Sequence, residues 1–206
     1  MCAMKNLQKI LLAAVIAVVA SGCTSAYFSQ VSTYDDLYAT HDVKAIAERQ
    51  KAEAEVRKAE AEGADLVLFA EYAISGTPAY DLLRKTTFLS LCEEALERIA
   101  SACKRVTAIV GSPVLTERGA VSAAVVLRNG QIVETIEKQH ITARREMGFV
   151  AAGSGYQIVE INGCNLAIVV GDDLSQLQDL PQQAEYVISI NARRYGKGLL
   201  SYRYEM

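Results

Sequence analysis

Three places in this 206-residue chain set a chemically useful residue at the end of a short apolar run. Glu71 follows Leu66-Val67-Leu68-Phe69-Ala70, Lys138 closes the segment Gln131 to Lys138, and Gly171-Asp172-Asp173 follow Ala167-Ile168-Val169-Val170. A glutamate can manage protons and a lysine can stabilise an anion that develops during a reaction. The ends of strands are where open α/β sheets build their sites. A charged residue at a strand end is also the ordinary way a chain leaves its core for water, so none of the three carries a function alone. The remaining groups add little. The two histidines, His41 and His140, have no Cys or Asp at metal-ligand spacing, so no metal site is expected. His140 is expected on a loop surface, and Asp172 and Asp173 are expected to cap a following helix.

The elements that would position these residues follow from patterning. Asp42 to Glu62 is rich in Ala, Glu, Lys and Arg and stops at Gly63, which predicts a helix with a solvated charged face. Ala64 to Ala70 and Val106 to Gly111 are continuous apolar runs suited to strands buried on both faces. Between them, Ala79 to Lys104 reads as helix with a break near Thr86 and Thr87, where two β-branched residues adjoin. Asn129-Gly130 and Asn162-Gly163 each separate two strand-like runs, Val121–Arg128 from Gln131–Lys138 and Tyr156–Ile161 from Asn165–Val170. That pair of residues suits a type I′ turn, which needs positive φ at both central positions. Leu174 to Gln183 reads as a polar turn or helix and Glu185 to Asn191 as a further strand. The order argues for an α/β layered fold.

With 51% hydrophobic and 22% charged residues, the chain can bury one ordinary core. A net charge of -3 without a basic run argues against nucleic acid as a partner, and Arg193, Arg194, Lys197 and Arg203 read as a solvated tail. At the other end, Lys5 and Lys9 precede an uncharged apolar run, Ile10 to Ala20, too short for the roughly 20 residues of a membrane span. Ala20-Ser21-Gly22-Cys23 follows, resembling a bacterial lipobox. The expectation is a lipoprotein-type signal peptide over residues 1–23, with Cys23 as the lipid anchor to a bacterial membrane, and one domain over 24–206. Ala20 departs from the leucine that the pattern prefers, so cleavage without lipid, giving a secreted protein, stays open. Cys92 and Cys103, about 16 Å apart along one helix, are too far apart for a disulfide and are expected as buried apolar residues.

Taken together, the motifs resemble the nitrilase, or carbon-nitrogen hydrolase, superfamily. Gly63 to Gly76 with Asp81-Leu82-Leu83 is similar to its glutamate motif, which implies Glu71 as general base. Arg128-Asn129-Gly130 through Ile136-Glu137-Lys138-Gln139-His140 is similar to its lysine motif, which implies Lys138 as the catalytic lysine. The Lys-Gln-His triplet is nearest to the N-terminal glutaminase domain of glutamine-dependent NAD synthetases. Asn165 to Leu174 is similar to the strand that ends in cysteine, an acid and aspartate, but Gly171 stands at the cysteine's place. The resemblance runs from about Asp42 to Lys197. It implies an α-β-β-α sandwich of nitrilase type, incomplete at its C-terminal edge since the chain ends soon after Asn191.

In the family a thiolate attacks an amide carbon, and the resulting acyl-enzyme is resolved by water. Glycine offers no nucleophile, and Cys164, seven residues earlier, lies about 23 Å away in an extended strand. Ala70 replaces the usual proline before the glutamate. Thr142 to Met147 replaces the family's aromatic and acidic loop, so the pocket is expected to have drifted. These departures predict a non-catalytic, exported binding or interaction protein, with Glu71 and Lys138 vestigial and no cofactor. Its expected partners are a small amide or carboxylate, the membrane through Cys23, and a second copy in a homodimer. The alternatives are a weak amidase or glutaminase acting through Glu71 and Lys138, or a truncated fragment of a glutamine-dependent NAD synthetase.

Overall fold

A computed structural model describes residues 49–144, 146–177 and 182–192. The proposed signal segment, Cys23, His41, Asp42 and the basic residues from Arg193 onward lie outside them. The first described element is helix α1, residues 49–62, which ends at Gly63 with φ +69°. Strand β1 (Leu66–Leu68) follows, then a 3-10 turn over Tyr80–Arg84 and helix α2 (Thr86–Ala102). The expected break falls at Lys85, whose extended backbone (φ −92°, ψ 112°) separates the two pieces. Strands β2 (Thr107–Thr116), β3 (Gly119–Arg128) and β4 (Gln131–Glu137) complete a four-stranded sheet in the order β1-β2-β3-β4. A second sheet has the order β5-β6-β7, from β5 (Gln157–Ile161), β6 (Cys164–Val170) and β7 (Tyr186–Ile190).

Alternation along the strands decides which layer each face meets. On β2 and β3, Ala108, Val110, Ala123, Val125 and Leu127 pack toward the helices, where Val56, Phe88, Leu96 and Ile99 join them. Their neighbours Ile109, Ala124 and Val126 face the second sheet, against Leu166, Ile168 and Val170 of β6. Burial on both faces explains why these strands read as unbroken apolar runs. The described residues thus form a helix layer and two sheets, a mixed α/β sandwich. Cys92 and Cys103 are buried free thiols, Cys103 lying just past the end of α2.

Both Asn-Gly pairs turn as their sequence predicts, with φ of 54° and 84° at Asn129 and Gly130 and 51° and 77° at Asn162 and Gly163. A third hairpin, β2 to β3 around Glu117-Arg118, has no such signature. Its length comes from continuous antiparallel pairing from Ala108↔Leu127 to Thr116↔Gly119. The parallel pairing of β1 with β2 and the antiparallel steps to β3 and β4 bring the C-termini of β1 and β4 to the same end of the sheet.

One glycine in β2 fixes how the chain leaves β1. A Cβ at Gly111 would lie 2.2 Å from the Ala70 carbonyl oxygen and 2.5 Å from Glu71 Cα. Backbone cannot yield as a side-chain tip can, so only glycine lets the chain bearing Glu71 pass so close. Gly111→Ala is expected to lower stability by about 1–3 kcal/mol, measured by urea denaturation.

Candidate functional site

The turn after β1 places Glu71 under the sheet edge, where its side chain is buried. Tyr72, next in the chain, has φ +59°, a left-handed backbone that a bulky residue rarely adopts. Gly76 N–H closes the turn on the Tyr72 carbonyl at 2.8 Å. Lys138 sits one residue past β4, opposite Ser122 of β3, whose carbonyl accepts the Lys138 N–H at 2.8 Å. Both side chains share the parity of Ile136 and Ala124, so they occupy the end of the layer between the sheets, where β6 also terminates.

Lys138 is 1% exposed and lies between two carboxylates. Its Nζ donates to Glu71 Oε1 at 3.0 Å and to Glu146 Oε2 at 2.8 Å. Ser122 Oγ donates to Glu71 Oε1 at 3.0 Å, and the Ala192 N–H donates to Glu71 Oε2 at 3.2 Å. Burial pushes the Glu71 carboxyl above the usual carboxylate range; the Lys138 ammonium opposes this and the Glu146 charge adds to it. For Lys138, burial favours the neutral amine, but the attraction of Glu71 and Glu146 outweighs it and the pKa rises. The lysine is therefore an ammonium at neutral pH. Burial, with the nearby Glu146 and Glu71 charges, pushes the Tyr72 phenol far up, so it stays protonated.

Gly171 is the first residue after β6 and has φ +58°. A Cβ there would lie 2.6 Å from Lys138 Nζ, 2.8 Å from Lys138 Cε and 3.1 Å from Glu71 Oε1. The three strand ends singled out in the sequence therefore meet: Glu71 and Lys138 touch, and position 171 faces both.

Glu146 joins this pair without a mark in the sequence patterning. Its segment, Thr142 to Met147, was expected to lack the acidic support of a pocket, yet Glu146 is 2% exposed and grips Lys138. The available signal was one glutamate eight residues after Lys138. Nothing in the sequence shows that residues 146–150 coil, with the Glu146 carbonyl accepting the N–H groups of Phe149 and Val150, so that this side chain turns inward. Arg84 anchors the coil from outside, donating to the Gly148 carbonyl at 2.8 Å and covering the Phe149 ring.

The acidic pair after Gly171 also departs from expectation. Val170 is the cap residue of the 3-10 turn Gly171–Gln176, and no side chain caps it. Asp173 instead accepts the N–H groups of Gln139 (2.8 Å) and His140 (2.7 Å), and its Oδ1 lies 2.9 Å from His140 Nδ1. It is a staple between the ends of β4 and β6. His140 is correspondingly part-buried against Asp173 rather than free on a loop. Asp172 meets the Thr142 hydroxyl. Among the described residues, no group of three His, Cys, Asp or Glu side chains is placed to hold a metal.

Comparison with known proteins agrees with this architecture. No family model matches the chain. It is 37% identical over 145 residues to the glutamine-dependent NAD(+) synthetase of Xanthomonas campestris pv. campestris, covering 66% of this chain and 26% of that protein. The counterpart in Aquifex aeolicus is 24% identical over 152 residues, 69% of this chain and 27% of that protein. The chain thus spans about a quarter of the length of these synthetases. Among solved structures it is similar to the glutamine-dependent NAD+ synthetase of Acinetobacter baumannii, with TM-score 0.67, 22% identity and coverage of 77% of this chain and 32% of that one. An amidase from Nesterenkonia sp. gives TM-score 0.62 at 15% identity, over 76% of this chain and 62% of that one. A variant of that amidase is described as a member of the nitrilase superfamily. The chain has the nitrilase-type fold and is related in sequence to part of the glutamine-dependent NAD synthetases.

The buried Lys138 with its two carboxylates generates two expectations. Lys138→Ala leaves Glu71 and Glu146 buried without their cation and is expected to cost about 3–5 kcal/mol, read as a lower urea midpoint. With its native pKa raised, Glu71 binds a proton in the folded state before the unfolded chain does. Folding is therefore favoured progressively as pH falls from the native Glu71 pKa toward the ordinary 4.5. Urea midpoints of wild type and Glu71→Gln across that interval should show the acid-side gain in wild type only.

Proposed function

We propose that this chain, with its nitrilase-type fold and its kinship to glutamine-dependent NAD synthetases, is a non-catalytic relative of the amide-hydrolysing enzymes. One observation carries the reading: a side chain at position 171 would project onto Lys138 Nζ and Glu71 Oε1, and the residue there is glycine. The place from which a nucleophile would attack has base and lysine beside it but no thiol. Buried Cys164 stands at the opposite end of β6, so it does not substitute. In this reading the retained Glu71–Lys138–Glu146 cluster holds a ligand instead of turning one over. Two carboxylates against one ammonium disfavour an anionic carboxylate ligand, so of the two expected ligand classes the amide is kept.

Export belongs to the same proposal. It is supported by Lys5 and Lys9, the apolar run Ile10 to Ala20, and the small residues before Cys23. Cys23 is the proposed lipid attachment point and the membrane the proposed location. The intact cluster favours one competing reading, a weak amidase or glutaminase in which Glu71 activates water beside Lys138. Removing one member of a cooperating catalytic set usually removes nearly all of its rate, which is why the non-catalytic reading is preferred.

The purified protein should release no ammonia from glutamine or simple amides above a Glu71→Gln control. Glu71-dependent turnover would establish the amidase reading in its place. Gly171→Cys should gain a covalent acyl adduct on incubation with an amide or ester, detected by intact mass; no adduct from a folded variant would count against the assignment of position 171. Labelled palmitate should enter the wild-type protein in a lipoprotein-processing bacterium, and not Cys23→Ala.

A further inference from the structure

The two Asn-Gly turns are alike in sequence and in backbone, and they differ in what holds them. At Asn129-Gly130 the Gly130 N–H donates to the Cys103 carbonyl at 2.8 Å. At Asn162-Gly163 no such bond holds the Gly163 N–H among the described residues. Asn162 and Gly163 are exposed, and a Cβ built on Gly163 would meet nothing within 4 Å, so the turn has open space around it. The Asn162 side chain reaches from the second sheet to the first. Its Nδ2 donates to Oδ1 of Asp65, just ahead of β1, at 2.9 Å.

Asparagine followed by glycine undergoes a reaction that needs only water. The glycine backbone nitrogen attacks the asparagine side-chain amide carbon, and glycine has no side chain to obstruct the approach. The new N–C bond closes a succinimide ring, the backbone nitrogen gives up its proton, and the side-chain nitrogen leaves as ammonia. Water then opens the ring at either carbonyl. Attack at Cγ yields aspartate, while attack at the main-chain carbonyl yields isoaspartate, whose backbone is longer by one methylene. A backbone nitrogen whose N–H is held in a hydrogen bond has to break that bond before it can attack.

We propose that Asn162 is a self-modification site that deamidates in the folded protein, while the Cys103 carbonyl protects Asn129 by holding Gly130. The product changes the joint between the sheets at the end opposite Lys138. Aspartate at position 162 replaces the donor to Asp65 with a second carboxylate, so attraction becomes repulsion. Isoaspartate lengthens a two-residue turn whose size sets the pairing Ile161↔Cys164 and the register of β5 on β6 behind it. Either product loosens the tie between the sheets as the protein ages. The ammonia released is a single equivalent per chain and does not depend on Glu71.

The full chain is held in mildly alkaline buffer, and peptide mass spectrometry follows the amide-to-acid exchange at both asparagines. Asn162 should convert several-fold faster than Asn129 in the folded chain, and the two rates should converge in urea, where the bond to Cys103 is gone. Equal rates in the folded chain, a faster Asn129, or a difference that persists in urea would each overturn the assignment. Asn162→Asp supplies the aspartate product directly and should lower the melting temperature, with the loss shrinking as salt rises. Combining Asp65→Asn with Asn162→Asp restores the hydrogen bond with donor and acceptor exchanged, and should recover the loss. A melting temperature of Asn162→Asp equal to that of wild type would overturn the consequence for the sheets.

Discussion

A single buried ammonium organises the functional end of this molecule. Lys138 reaches from the end of β4 to carboxylates from two other segments, Glu71 after β1 and Glu146 in the long β4–β5 connection. A buried charge without partners would be too costly to keep, so each of the three side chains fixes the others. The main chain is arranged to deliver them. Gly111 lets the Glu71 segment pass over β2, Asp173 ties β4 to β6, and Arg84 secures the coil that carries Glu146. The side chains that meet at this end are charged and hydrogen-bonded, while the sandwich behind them is apolar.

The sequence made the strands and the two Asn-Gly turns legible because both are local signals: continuous apolar runs for strands buried on both faces, and paired residues tolerant of positive φ. Glu71, Lys138 and Gly171 were legible for another reason, since each marks the point where such a run stops. The β2–β3 hairpin was not, because Glu117-Arg118 carries no turn signature and its geometry follows from the length of the strand pairing. Glu146 was hidden for a related reason. Its inward direction depends on a coil held by Arg84, 62 positions earlier in the chain, and local patterning does not register such a contact. Asp173 reads as a helix cap in the sequence because an acid ahead of a helical segment ordinarily serves there; tertiary contact redirects it to the backbone of Gln139 and His140.

The kinship to NAD synthetases and the shared fold with nitrilase-superfamily amidases account for the scaffold, not for what the scaffold does here. At this end of the sheets the chain sets the Glu71–Lys138–Glu146 cluster beside a glycine at position 171.

The backbone at Gly171 gives that position a direction in mutational space. At φ +58° any residue with a Cβ is strained by about 1–2 kcal/mol, and its side chain would also have to displace the tip of Lys138. Glycine relieves both at once. A larger residue at this elbow has to be held there by compensating contacts, which glycine does not need. Any exchange of Gly171 for a larger residue therefore runs uphill in backbone and contact energy.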